Sequence, residues 1–243
     1  MGAYSGRFPE AMFPSLGHVF GRFFELLFYE DLALKALYSI GVVIVAMSIS
    51  AVLALLLSFM GLKSYYIRYS TELMNTIASP IPGIAILPIV MLWLGVSREA
   101  MMLIMIHAMI WPLWMNTALA LERIIKRYER MIKAFRIPLK TRVRHIYMEG
   151  ILPDLIVGLE IAWSRGWRAL LSIEMIFGIV GSHSGLGWLI YERRMYMDTA
   201  GMFAGLIAIA LCGITFESIV FKSKKMEAFV ETAHRNQTAS KKV

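Results

Sequence analysis

The stretch ERIIKRYERMIKAFRIPLKTRVRHIYMEGI (residues 122–151) combines two properties that pull in opposite directions. Its nine lysines and arginines make it too charged to enter lipid. Its apolar residues nevertheless recur at helical spacing, as Ile124, Ile125, Tyr128, Met131, Ile132 and Phe135, and again as Leu139, Val143, Ile146 and Tyr147. Pro138 lacks a backbone N–H and its ring clashes with the preceding turn, so the pattern predicts two amphipathic helices divided there. The flanks decide the fold. Residues 99–121 on one side and 153–180 on the other are apolar and long enough to cross a hydrocarbon layer of roughly 30 Å. Three further windows of this kind lie near 36–60, 74–95 and 199–221. With 58% of its 243 residues hydrophobic, the chain reads as an all-α polytopic membrane protein of about five transmembrane helices, with 122–152 as a loop outside the membrane.

Lysine and arginine set the orientation, because short cytoplasmic loops collect them. With 122–152 in the cytoplasm, that side holds seventeen of the 25 basic residues and the opposite side six; the other two, Arg165 and Arg168, fall inside the fourth window. The N-terminus is therefore expected outside and the C-terminus inside. The formal net charge of +8 reads as a topology signal and not as a nucleic-acid surface. Residues 1–35 are expected to form an extracytoplasmic N-terminus, 36–221 the transmembrane domain and 222–243 a cytoplasmic tail. The opening stretch has no basic segment followed by an apolar one, so no cleaved signal peptide is indicated. Within it, 8–30 carries Phe13, Phe20, Phe23, Phe24, Leu27 and Phe28 among Arg22, Glu25 and Glu30. That mixture suits a helix lying in the membrane interface, with a sixth crossing as the alternative. Cys212 is the lone cysteine, which excludes a disulfide or a cysteine-based metal site within one chain.

The second window holds Pro80, Pro82 and Pro88, so its helix is expected to start irregularly and bend, either as a packing kink or because it lines a pathway. The fourth holds Arg165 and Arg168 three residues apart, on one helix face. If that crossing begins at Pro153, Arg165 lies about 18 Å into it, where an arginine costs at least about 2.5–3.5 kcal/mol. One reading sets both on a water-filled pathway for an anion, because a guanidinium fork suits carboxylate or sulfonate groups. The other pairs them with Glu160, Glu174 or acids of a partner chain. His107 has no second histidine at i+3 or i+4 and reads as a packing group, so no metal site is indicated. The sequence contains no G-x-x-x-x-G-K-[ST], H-E-x-x-H or G-x-S-x-G, so no catalytic residue is assigned and any ATP chemistry belongs to another polypeptide. The amphipathic pair in 122–152 fits a soluble partner and anionic headgroups equally well.

Three stretches carry a resemblance: SPIPGIAILPIVMLWLGVSREAMMLIMIHAMIWPLWMNT (79–117), HIYMEGILPDLIVGLEIAWSRGWRALLSIEM (145–175) and GSHSGLGWLIY (181–191). They resemble the inner-membrane permease subunits of ABC importers, in the nitrate, taurine and aliphatic-sulfonate branch, and together cover roughly residues 75–215. The resemblance implies a type I ABC importer permease fold whose cytoplasmic loop is a coupling helix docked on an ATPase subunit. The family's Glu-Ala-Ala motif falls on Ala134, Phe135 and Arg136 and its glycine on Lys140, so the motif is degenerate here, while Pro153 matches. On this resemblance, Ala134, Phe135, Arg136, Ile137, Pro138, Leu139, Lys140 and Pro153 couple to the ATPase. Arg165, Arg168, Glu174, Trp167 and Pro82 belong to a substrate pathway, the two arginines as a feature of this member. Ser184, Gly185, Leu186 and Gly187 belong to an outer gate or binding-protein contact. The implied partners are ABC ATPase subunits, which hold the ATP and Mg, a second identical permease subunit, an extracytoplasmic solute-binding protein and the lipid of the cell inner membrane. No cofactor is implied for this chain. The implied function is import of a small anion such as sulfonate, nitrate or bicarbonate by alternating access. An importer for phosphonate, methionine, metal or a neutral heterocycle is the alternative, and a non-transport scaffold a further one.

Overall fold

The computed structural model of the chain describes residues 13–180 and 183–221. The start of the expected interfacial helix, residues 181–182 and the expected tail at 222–243 lie outside the described residues. Among them the chain is helical throughout: α1 (Leu16–Tyr29), α2 (Leu32–Lys63), α3 (Tyr65–Ala78), α4 (Gly83–Leu94), α5 (Arg98–Ala134), the single turn α6 (Leu139–Thr141) running into a π-type turn at Arg142–Tyr147, α7 (Met148–Phe177), α8 (Leu186–Met195) and α9 (Thr199–Val220). The only extended pairing among the described residues is an isolated bridge between Val180 and His183.

Helices α2, α5 and α9 are long and apolar enough to cross a membrane, and α3 with α4 adds a fourth span if the broken pair counts as one. The α9 surface is inverted relative to a water-soluble helix. Ala200, Gly201, Ala204, Gly205 and Ala208 are buried, whereas Leu206, Leu211 and Ile214 are exposed. Small residues inward and large aliphatic ones outward are what a helix surrounded by lipid requires. α7 covers the fourth window and is 30 residues long. Its charged residues, Glu160, Arg165, Arg168 and Glu174 among them, keep it from qualifying as a span on apolarity.

The second window does not form a single helix. α3 and α4 are a bent pair broken over 79–82. Pro82, which has no N–H to give to a helical ladder, stands immediately before α4. The first of the two amphipathic loop helices is an extension of α5, which continues unbroken to Ala134. At 1.5 Å per residue α5 is about 55 Å long, well beyond the hydrocarbon layer.

The chain divides into two compact units. Of the described residues, the first comprises 13–45, 84–105, 167–180 and 183–216; the second comprises 46–83, 106–166 and 217–221. In the first, α1 is held by charge. Ser15 caps its N-terminus, accepting from the His18 N–H. Arg22 reaches Glu25, Glu30 and Asp198, at 2.8, 2.9 and 3.0 Å, and Arg193 pairs with Glu30 and Asp198. Burial works against the Arg22 charge, but the bonds to Glu25 and Asp198 outweigh it and raise its hold on the proton. For Asp198, burial pushes the carboxyl up, yet the Gly201 N–H and the Arg22 and Arg193 guanidiniums outweigh it and hold the group below its ordinary range. A carboxyl depressed in the folded state stabilises above its unfolded pKa, and the contribution vanishes as pH falls through the folded value. The Tm difference between the native chain and Asp198→Asn in detergent is therefore expected to be full at neutral pH and to shrink as pH drops below about 4. A difference that persists unchanged into acid contradicts this.

In the second unit, α5 and α7 run antiparallel through a line of glycines. A Cβ at Gly150 would press on Ile124, one at Gly158 on Asn116 and Leu113, and one at Gly166 on Met109. Small residues at these positions let the two backbones approach.

Candidate functional site

The turn between α5 and α7 is built by a helix-ending motif that the sequence does not advertise. The Ile137 N–H donates to the Ile132 carbonyl at 3.2 Å, and the Arg136 N–H to that of Lys133 at 3.4 Å. This is the Schellman pattern, with Arg136 at φ 48° in the left-handed position where glycine is usual. Its hydrophobic contact is present as well, because Ile137 packs on the core formed by Leu121, Ile124, Ile132, Tyr147 and Ile151. The chain then leaves through Pro138, which begins α6. Of the residues expected to couple, Ala134 ends α5 and Ile137 anchors the turn, while Phe135 is 76% exposed and Leu139 56% exposed. Arg136 and Lys140 are also exposed, and Pro153 is buried inside α7. The result is a turn stiffened from behind that exposes two apolar side chains, each followed in sequence by a cation.

On α7, Ile161, Arg165, Arg168 and Ile176 are exposed and lie along one side, at offsets of four, three and eight residues. Arg165 makes no hydrogen bond or ion pair among the described residues, and neither does Glu160. The alternative reading, in which Glu160 pairs with the arginines, therefore finds no Glu160–Arg165 pair among the described residues. Trp167 is buried, with its indole against Gly213 of α9. Pro82 is exposed at the α3–α4 break.

Glu174 points the other way from this face and is 1% exposed. Its carboxylate accepts from the Ser39 hydroxyl and from the Gly187 N–H, each at 2.8 Å, and the Ser39 oxygen in turn accepts from the Leu186 N–H at 3.0 Å. The first turn of α8 thus closes on a buried carboxylate, where helix-terminal N–H groups and the dipole favour negative charge. The fit leaves no room for side chains. A Cβ on Gly185 would overlap the Glu174 carboxylate, and one on Gly187 the backbone carbonyl of Leu171. Ser184 is half-buried, and His183 stacks on Tyr38 with ring centroids 5.5 Å apart. Ser39, 135 residues from Glu174, was not legible from sequence because nothing marks one serine in an apolar run as its partner.

A second site also escaped the sequence reading. α2, α3 and α5 enclose a cavity of about 450 Å³, inside the roughly 300–1,000 Å³ typical of small-molecule pockets. Arg68, Glu72, Glu122 and Lys126, which line it, form one chain of ion pairs, and the Asn75 Oδ1 atom, also in its lining, is buried without a partner.

A family described as "Binding-protein-dependent transport system inner membrane component" matches residues 52–222, which include the turn, α7 and the Gly185–Gly187 segment. The chain belongs to this family. Its similarity to individual members is modest. It is 22% identical, over 69% of its length and 58% of the relative's, to a putative aliphatic sulfonates transport permease protein of Bacillus subtilis (strain 168). It is 23% identical, over 57% of its length and 49% of the relative's, to the taurine transport system permease protein of Escherichia coli (strain K12). With the formylaminopyrimidine transport permease protein of Halalkalibacterium halodurans it shares 26%, over 78% of its length and 73% of the relative's. The chain thus spans about half the length of the first curated relatives it matches. As a member of this family it is a multi-pass membrane protein, in keeping with its apolar helices.

Proposed function

We propose that the chain is the permease subunit of an ATP-driven importer that moves a small anion into the cytoplasm. The observation that carries the reading is the exposed α7 face, where Arg165 and Arg168 stand on a helix long enough to cross the membrane. Cations at such depth are retained where they meet water, a ligand or an opposite charge. Two guanidiniums on one face are suited to a sulfonate, nitrate or bicarbonate. Relatives named for aliphatic sulfonates, taurine, nitrate and bicarbonate support the substrate class.

In this reading a second copy of the chain covers the α7 face, and Pro82 flanks the pathway. Trp167 and Glu174 act from the buried side by fixing α7 and α8. ATPase subunits, which bind the ATP and Mg, dock on the 134–140 turn in the cytoplasm. The N-terminus lies outside with the 183–187 segment, against which a solute-binding protein delivers its load. ATP-driven closure of the ATPases moves the turns and opens the pathway outward, and hydrolysis reverses it.

The test is uptake of labelled methanesulfonate and of nitrate by the reconstituted complex, with and without Arg165→Gln and Arg168→Gln together. A hydrogen bond to a charged group contributes about 1.5–3 kcal/mol, so the double variant is expected to lose at least about tenfold in uptake at equal amounts of assembled complex. Unchanged anion uptake rejects the arginine pathway. A neutral heterocycle is the second reading, supported by the 26% identity to the formylaminopyrimidine permease over 78% of the chain, and predicts uptake indifferent to both arginines.

A further inference from the structure

Asp154 follows Pro153 in α7, and its carboxylate accepts a hydrogen bond from the Arg123 guanidinium of α5 at 2.5 Å. The two residues stand 31 apart in sequence and join the two limbs of the turn. Asp154 is nine-tenths buried, while most of the Arg123 side chain is in solvent. The second Asp154 oxygen is buried with no hydrogen-bond partner among the described residues. Beside it is a small cavity of about 70 Å³ that Arg123, Arg127, Tyr128 and Gly150 also line, roomy enough to hold water. A carboxylate held this way depends on its one guanidinium, because removing the cation strands a buried charge.

The position gives the bond its meaning. Pro153 cannot donate to the helical ladder, so the carbonyl one turn earlier is freed and α7 is most easily bent there. On the turn side, Ile124, Ile132, Tyr147 and Ile151 share one core, so the 132–151 hairpin moves as a piece. Beyond Asp154, Gly158 and Gly166 seat α7 against α5 up to the arginine-bearing stretch. We propose that Arg123 and Asp154 are the fulcrum of the permease, holding α7 to α5 at the proline flexure so that displacement of the 134–140 turn reaches Arg165 and Arg168 instead of being lost as bending at Pro153. Neither residue touches a substrate; both act by position. The inference rests on the coupling role proposed above for the turn.

The experiment uses the permease assembled with its ATPase in nanodiscs. A single cysteine at exposed Ile176 of α7, in a Cys212→Ser background, is alkylated with a maleimide with and without ATP and vanadate. In the parent complex, trapping is expected to change the labelling rate. In Arg123→Gln and in Asp154→Asn, that nucleotide effect is expected to fall about fivefold or more, while ATPase still co-purifies and still hydrolyses ATP. Arg123→Lys retains the effect, and the reversed pair Arg123→Asp with Asp154→Arg recovers it. Parent-like labelling changes in both single variants overturn the fulcrum, as does a reversed pair no better than the singles. Loss of the assembled complex in all of these variants assigns the bond to folding alone and overturns it too. A parent that captures no ATPase, or shows no nucleotide effect, overturns the coupling role of the turn itself, an outcome separate from the others.

Discussion

Gly187→Ala is expected to cost about 3 kcal/mol, the upper end of overpacking penalties, and to lower the Tm in detergent by roughly 6–12 °C for a chain of this size. The added methyl meets the backbone carbonyl of Leu171 and the Cβ of Glu174, neither of which can rotate out of the way. Relief requires α8 to lift from α7, which pulls the Gly187 N–H from the buried Glu174 carboxylate and disturbs the Leu186–Ser39 contact. Gly41→Ala supplies the contrast. It lies within α2, and a Cβ there has nothing within 4 Å. Removing a mid-helix glycine stabilises by about 0.5–1 kcal/mol where space permits. A Gly187→Ala protein that melts with the native one rejects the close-packed α7–α8 contact.

This contact also marks where sequence reading ran out. Local periodicity located α5, α7 and the basic turn between them, because apolar spacing and a proline are local signals. It placed the break at Pro138, whereas α5 ends earlier, through a left-handed Arg136 that no composition rule announces. Glycines at 158, 166, 185 and 187 were visible as residues, but their use depends on what lies opposite, from α5 for the first pair and from α7 for the second. Glu174 read as a pathway acid since its charge was visible and its partners were not; Ser39 and the α8 N-terminus sit far away in sequence. The same holds for α1, read from sequence as a helix of the membrane interface, whose anchor Asp198 is 176 residues from Arg22. The prolines of 74–95, by contrast, are a local signal: they announced an irregular, bent start, and α3 and α4 meet there at 103°.

The second large effect is expected at the turn. Phe135→Ala should weaken ATPase binding by about 2 kcal/mol or more, roughly thirtyfold, as truncation of a buried aromatic anchor in an interface does. The reasoning starts from exposure. A phenyl ring 76% in solvent at the tip of a turn gains nothing for the isolated chain, and Leu139 beside it is likewise open. The turn is nevertheless rigid, because Ile137 is pinned to the core and the Schellman bonds fix residues 132–137. A rigid turn loses little conformational freedom on docking, so most of the gain from burying Phe135 is kept. Phe135→Ala should therefore leave the Tm of the permease alone unchanged, while Ile137→Ala should destabilise it by about 2 kcal/mol, as core truncations do, which lowers the Tm by roughly 4–8 °C. The cations that follow them, Arg136 and Lys140, add attraction that salt screens, so raising ionic strength should weaken docking in native and Phe135→Ala proteins alike. Titration of purified ATPase against the permease in nanodiscs at two ionic strengths measures the docking, and thermal melts of the permease alone measure the stability. An unchanged affinity in both Phe135→Ala and Leu139→Ala would falsify the docking role, and a Tm that falls with Phe135→Ala would mean that the ring packs within the chain.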